Sequence, residues 1–133
     1  MHNKYFDQLE FTGHYDRKND IENIAELGIK AMRYPVLWEK YQPAIRGEID
    51  FDFPKQNLYK LIALNVKPIV GLVHHGSGPA FVNFFDGSFE DGLAEYACRI
   101  ASEFPWVEFY TPVPLTKMQA ISERYVGNFN YNC

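Results

Sequence analysis

Apolar positions along this chain alternate between two patterns. The first has helical spacing. It covers Ile21, Ile24 and Leu27, with Asn19 and Asp20 placed to cap and Gly28 to stop. It returns in Leu58, Leu61, Ile62 and Leu64, with Pro54 in the first turn and Asn65 at the end, and again in FEDGLAEYACRIASEF, which Pro105 closes. Ser88 and Asp91 match a capping box for that third helix. The second pattern is a short, nearly continuous apolar run, seen at 29–37 (IKAMRYPVL), 66–73 (VKPIVGLV) and 107–113 (VEFYTPV). Such runs predict strands buried on both faces, the habit of parallel sheets. The strand starts at 29, 66 and 107 give a repeat of roughly 40 residues, and a long loop follows each strand. Loops after strands, such as WEKYQPAIRGEID and HHGSGPAFVNFFDGS, are what a TIM barrel uses to build its binding face. A doubly wound sheet is the competing arrangement, but no glycine-rich phosphate loop opens any of these helices.

Composition narrows the class. With 133 residues, 47% of them apolar and 23% charged, the chain is expected to form one ordered globular domain. Aromatics at 17% suit either a thick core or a stacking surface for sugars or bases. The net charge of −4 and singly scattered Lys and Arg leave no basic stripe, so nucleic acid is not expected as a partner. Runs such as PIVGLV fall far below the ~18 residues of a membrane span, and MHNKYFDQ is no signal peptide, so no membrane association and a cytoplasmic location are expected. Cys98 and Cys133 form neither a disulfide framework nor a metal spacing and read as free thiols. No cofactor or metal is expected.

Few residues are placed to do chemistry. Arg33 lies within an apolar strand, where its charge calls for a partner, either a structural pair on a barrel floor or a functional pair near a carboxylate. His74 and His75 leave the second strand at its C-terminal end on opposite sides, so one of them at most faces a ligand. Trp38 and Glu39 stand in the same relation to the first strand and suit a pocket wall and a polar contact, or else packing and a solvent-exposed charge.

The order GIKAMRYPVLWEKYQP, NVKPIVGLVHHGSGP, LAEYACRIASEFPWVEFYTPV resembles the second to fourth strands of glycoside hydrolase family 1, the β-glucosidase-type TIM barrels. It is most similar to the family 1-like domains attached to dTDP-4-dehydrorhamnose reductase. The resemblance implies an α/β fold comprising part of a (β/α)8 barrel, roughly strands 2 to 4 with their helices, not closed. It divides the chain into a barrel portion at 1–116 and a divergent tail at 117–133. Family 1 enzymes hydrolyse β-glycosides with retention through two glutamates about 5–5.5 Å apart. Position by position, Arg33 matches the arginine near the nucleophile and His74 the histidine that binds the sugar, while His75 and Gly76 replace the family's Trp-Asp. Arg33, Trp38, His74 and His75 are therefore the expected substrate-binding residues, with a sugar or glycoside as ligand.

The family's fourth strand ends in Asn-Glu-Pro, which carries the acid/base. Here Val113 runs directly into Pro114, so both the Asn and the Glu are missing from that junction. Glu108 lies several residues upstream and does not replace them. The nucleophile of the seventh strand is expected beyond Cys133. No catalytic residue is therefore assigned, and the chain is expected to be a truncated or degenerate, inactive relative. The other expectations are a non-catalytic carbohydrate-binding or interaction module, and an accessory piece in dTDP-rhamnose metabolism. Three strands leave open sheet edges, from which self-association is expected.

Overall fold

Three short parallel strands lie side by side in a computed structural model that describes residues 7–45, 48–74 and 78–111. They are β1 (Ala31–Pro35), β2 (Lys67–Gly71) and β3 (Phe109–Thr111), in the order β1-β2-β3. The register pairs Arg33 with Ile69 and Pro35 with Gly71, then Gly71 with Thr111. Helix α4 (Asp52–Ala63) connects the first two strands and α5 (Ser88–Glu103) the last two. Two βαβ units thus form part of a barrel whose sheet is not closed. Short helices α1 (Gln8–Phe11) and α2 (Asp20–Glu26) precede β1, and α3 (Trp38–Tyr41) follows it inside a segment expected to be loop.

Local chemistry sets the helix ends. Gly28, at φ 80°, takes the left-handed turn that stops the chain after α2. Asn65, at φ 58°, does the same after α4 and lets the Val66 N–H bond back to the Leu61 carbonyl at 2.9 Å. Asn19 makes no side-chain cap, and the Asp20 carboxylate instead accepts from Arg17 at 2.7 Å and meets His14 Nδ1 at 2.9 Å. The expected Ser88–Asp91 capping box is not formed. Asp86 caps the Ser88 N–H at 3.0 Å, and the Ser88 hydroxyl accepts from the Asn83 N–H at 2.8 Å, because the loop turns back on itself through Gly87. Cys98, expected as a free thiol, is disulfide-bonded, a pairing set by approach in space that sequence spacing does not report.

The core lies on one side of the sheet. Tyr34, Val36, Val70 and Leu72 point to the helices and are almost fully buried, together with Leu58 and Leu61 of α4 and Tyr96 and Ile100 of α5. Each such side chain contributes about 1.5–3 kcal/mol relative to exposure. On the opposite face Ala31 and Arg33 are exposed, Ile69 is half-buried and Phe109 is 49% exposed. The expectation of burial on both faces is therefore corrected among the described residues. One layer of helices covers one face, and the other face is the side that a closed barrel fills with layers of inward side chains.

A second constraint sits where α5 crosses the segment after β1. Trp38 is 1% exposed, and a Cβ on Gly92 would stand 2.6 Å from its Cη2. Glycine inside a helix costs about 0.5–1 kcal/mol relative to alanine, and here its missing side chain makes room for the indole. Gly92→Ala is expected to lose about 1–3 kcal/mol from overpacking against a propensity gain of at most about 1 kcal/mol. The net destabilisation is measured by urea denaturation, and a variant more stable than the parent would contradict this packing.

Candidate functional site

Beyond the last paired residues of β1 and β2 the chains stay together. The Val36 N–H donates to the Gly71 carbonyl at 2.9 Å and the Trp38 N–H to the Leu72 carbonyl at 2.8 Å, which extends the ladder past the strand ends. A cleft of about 190 Å³ opens there. Arg33, Pro35 and Leu37 line it from the β1 side, Gly71 and His74 from the β2 side, and Asp7, Gln8 and Leu9 from α1. At ~30 Å³ per liquid water, this volume corresponds to about six waters, below the ~300 Å³ where drug-sized pockets begin. A single small ring is the scale of ligand it suits.

Gly71 shapes the cleft floor. A Cβ there would lie 3.4 Å from Arg33 Nε and 3.4 Å from Thr111 Oγ1, so the glycine lets the guanidinium lie across the strands toward β3. Arg33 is exposed and makes no ion pair among the described residues, which corrects the expectation of a buried charge needing a partner. Its exposure leaves the guanidinium accessible to water. The Thr111 hydroxyl oxygen, by contrast, is buried and has no hydrogen bond among the described residues.

The opposite wall is fixed by Asp7. Its Oδ1 accepts the Leu9 and Glu10 N–H groups at 3.0 and 3.2 Å, capping α1. Its Oδ2 accepts Tyr15 Oη–H at 2.8 Å and pairs with Lys40 Nζ at 2.9 Å. Burial pushes the Asp7 carboxyl up, but the hydrogen bonds from Lys40, Tyr15 and the Glu10 N–H, with the Lys40 charge, outweigh it and hold the group below 3.8. Asp7 is thus an ionised, fully engaged carboxylate rather than a proton donor.

The remaining expected residues are placed elsewhere. Trp38 does not line the cleft; its Nε1 donates to Gln42 Oε1 at 3.0 Å, and its ring stacks 6.1 Å from Tyr96 and lies 5.7 Å from Phe89. It acts behind the site, holding Leu37 at the mouth. Glu39 is 9% exposed, not a solvated charge. Beside it, burial raises the Tyr96 phenol far above its usual range, aided by Tyr41 and Glu39, and that hydroxyl donates to the Val36 carbonyl at 3.1 Å. Glu108 pairs with Lys67 Nζ at 3.3 Å, at the start of β2 and away from the cleft. His75, the Val113–Pro114 junction and the tail at 117–133 lie outside the described residues. No cluster of three or more His, Cys, Asp and Glu suited to a metal occurs among the described residues, and no described helix is long and apolar enough to cross a membrane.

Sequence reading missed the α1 wall, although Asp7 with Glu10 three residues on is an N-terminus signal. It also missed Tyr15 and Lys40, which no local pattern connects to Asp7.

No family model matches the chain. An aryl-phospho-β-D-glucosidase, BglC of Bacillus subtilis (strain 168), is 31% identical over 78 residues, which are 56% of this chain and 16% of the relative. A family 1 β-glucosidase structure from Thermotoga maritima superposes with a TM-score of 0.66 at 28% identity, covering 81% of this chain and 26% of that one. The chain is similar to part of the family 1 β-glucosidase barrel. A β-glucosidase from Exiguobacterium marinum shares the fold, with a TM-score of 0.66 at 24% identity over 75% of this chain and 24% of that one. The chain spans about a quarter or less of the length of each of these proteins.

The Asp7 cluster generates a pH prediction. Because its folded pKa is below the unfolded value near 3.8, its stabilisation is present above that value and is lost as pH falls through the lower folded pKa. Asp7→Asn, which keeps the cap and removes the charge, is expected to be less stable than the parent at neutral pH, with the gap closing below about pH 4. Thermal melts across pH read this directly, and a gap that widens in acid would contradict the assignment.

Proposed function

We propose that this domain is the sugar-binding side of a β-glycoside-processing family 1 barrel, and that it binds a single sugar ring without cleaving it. The observation that carries the reading is the convergence of Arg33 and His74 on one cleft. By the family resemblance, they correspond to the arginine near the nucleophile and to the histidine that binds the sugar. Trp38 contributes from behind, by fixing the segment that leads to Leu37. The B. subtilis relative, named for aryl-phospho-β-D-glucosides, points to β-glucosides as the ligand class.

Turnover is not expected. The retaining mechanism needs one carboxyl group to protonate the leaving oxygen and another to attack, about 5–5.5 Å apart. Among the described residues the carboxylate that lines the cleft is Asp7, both of whose oxygens are engaged. The acid/base position falls in the gap between Val113 and Pro114. Loss of a positioned acid costs about 10²–10⁴ in rate, and loss of the nucleophile removes the covalent route. Among the described residues the outer edges of β1 and β3 are unpaired and the face bearing Ile69 and Phe109 is not fully covered, which supports self-association, measurable by light scattering over a dilution series.

The decisive test is an NMR titration of the labelled chain with glucose and aryl β-glucosides, beside a chromogenic assay. Millimolar binding and background turnover are expected, since few groups converge on so small a site. His74→Ala should weaken binding severalfold. Equal binding by that variant removes His74 from the site, and turnover above background refutes the non-catalytic reading.

A further inference from the structure

Helix α5 has two unlike flanks. On one, Glu103 pairs with Lys55 of α4 at 2.7 Å and Gly92 admits the Trp38 indole, so that side faces the rest of the described domain. On the other, Ala94, Cys98 and Ala101 follow one another at helical spacing, and each is half-buried. Because α4 crosses from β1 to β2 and α5 from β2 to β3, this second flank looks past β3, whose outer edge is unpaired among the described residues. The solvent ridge between the flanks is polar and already engaged, with Arg99 Nη2 2.6 Å from Glu95 Oε1.

Cys98 sits in this second flank and is disulfide-bonded. The sequence contains two cysteines, so a bond within one chain joins Cys98 to Cys133. We infer that residues 112–133 turn back from the end of β3 and lie along the flank of α5 that carries Ala94, Cys98 and Ala101, as a strap that covers the open β3 edge and is held by that bond. Both anchor points belong to the described structure. The strap starts after Thr111, at the C-terminal end of β3, and is tied to a cysteine about 15 Å along α5 from Ser88, toward the opposite end of the sheet. It therefore runs back against the direction of β3, as the helix of a βα unit does. Length is ample, since residues 112–133 reach about 30 Å even when wholly helical. Its sequence suits the flank: Met118, Ile121 and Tyr125 recur at i, i+3 and i+7, with Lys117, Glu123 and Arg124 off that line, which leaves one apolar face for a stripe of small side chains. A dithiol that gives two electrons and two protons to the bond, and becomes a disulfide itself, returns two thiols and releases the strap. None of these steps depends on the sugar-binding reading.

The test begins with tryptic mapping of the full chain without reductant, which is expected to give the peptide ending at Arg99 joined to residues 125–133, from material that runs as a single chain on a denaturing, non-reducing gel. Hydrogen exchange then separates a strap from a bond that holds nothing in place. Dithiothreitol is expected to speed exchange in β3 and in the Ala97–Ala101 turn of α5 about tenfold or more, and to leave the amides that join β1 to β2 unchanged. Cys133→Ser without reductant should match the reduced chain and lower the Tm by roughly 10 °C. Ile121→Asp keeps the bond but puts a charge on the apolar face, and should raise β3 exchange severalfold in the oxidised chain, which a tether without packing does not. If Cys133→Ser fails to fold, the parent chain with and without dithiothreitol reads the same difference. Two free thiols in the oxidised chain, or a bond that joins two chains, overturns the inference. Equal β3 exchange before and after reduction overturns it as well, because the bonded segment then covers no edge.

Discussion

Burial of the sheet on one face is the constraint on which the rest of this domain depends. A parallel sheet normally has both faces covered, because its crossover helices and a second layer exclude water from each. Here α4 and α5 cover the face that carries Tyr34, Val36 and Val70, and the described residues supply nothing of comparable size to the other. Among the described residues, the packing therefore centres on one helix–sheet interface. Its central knot is Trp38, seated against Gly92 and stacked on Tyr96, whose hydroxyl in turn reaches back to the Val36 carbonyl. The same asymmetry leaves the other face with room for a polar site.

That site is built by extending order beyond the strands. Two backbone hydrogen bonds past Pro35 keep the segments after β1 and β2 adjacent, so that Leu37 and His74 border one cleft. The far wall comes from a helix too short to be stable alone, since a four-residue α1 cannot repay the cost of helix nucleation. It is fixed by Asp7, which caps the helix through one oxygen and binds Lys40 and Tyr15 through the other. Lys40 also lies 4.9 Å over the Tyr15 ring, so one cation ties together two segments on either side of β1. Cleft geometry and N-terminal stability are thus the same interaction seen from two sides.

Much of this was legible in the sequence because it depends on local pattern. The 3.6-residue spacing of Leu58 and Leu61, Pro54 in a first turn and Gly28 after α2 each report a constraint that neighbouring residues satisfy. The strand runs also reported sheet and order correctly, but an apolar run cannot say whether its second face finds a partner, and Ile69 and Phe109 show that it need not. Trp38 illustrates a related limit: an aromatic just after a strand suits a pocket wall and a core equally well, and the notch at Gly92, some fifty residues on, decides the matter. Ser88 shows the limit at short range, where Asp86 and Asn83 compete successfully for the groups that a capping box would use. Asp7, Tyr15 and Lys40 meet through space, and so no window of sequence contains them.

Two carboxylates among the described residues bear on whether the cleft has a proton donor. Glu108 sits at the opposite end of the sheet from the cleft, paired with Lys67, and a strand of fixed register gives it no path to the C-terminal end. Asp7 is at the cleft, but every donor that stabilises the wall also stabilises its ionised form, so the interactions that make it a good structural residue make it a poor proton donor. A general acid needs a carboxyl group held neutral near working pH, which calls for burial without such donors. Across Gly71 from Arg33, the last described residue of β3 is Thr111, whose hydroxyl oxygen is buried. Among the described residues, the carboxylate that lines the cleft is thus committed to holding the wall rather than to proton transfer.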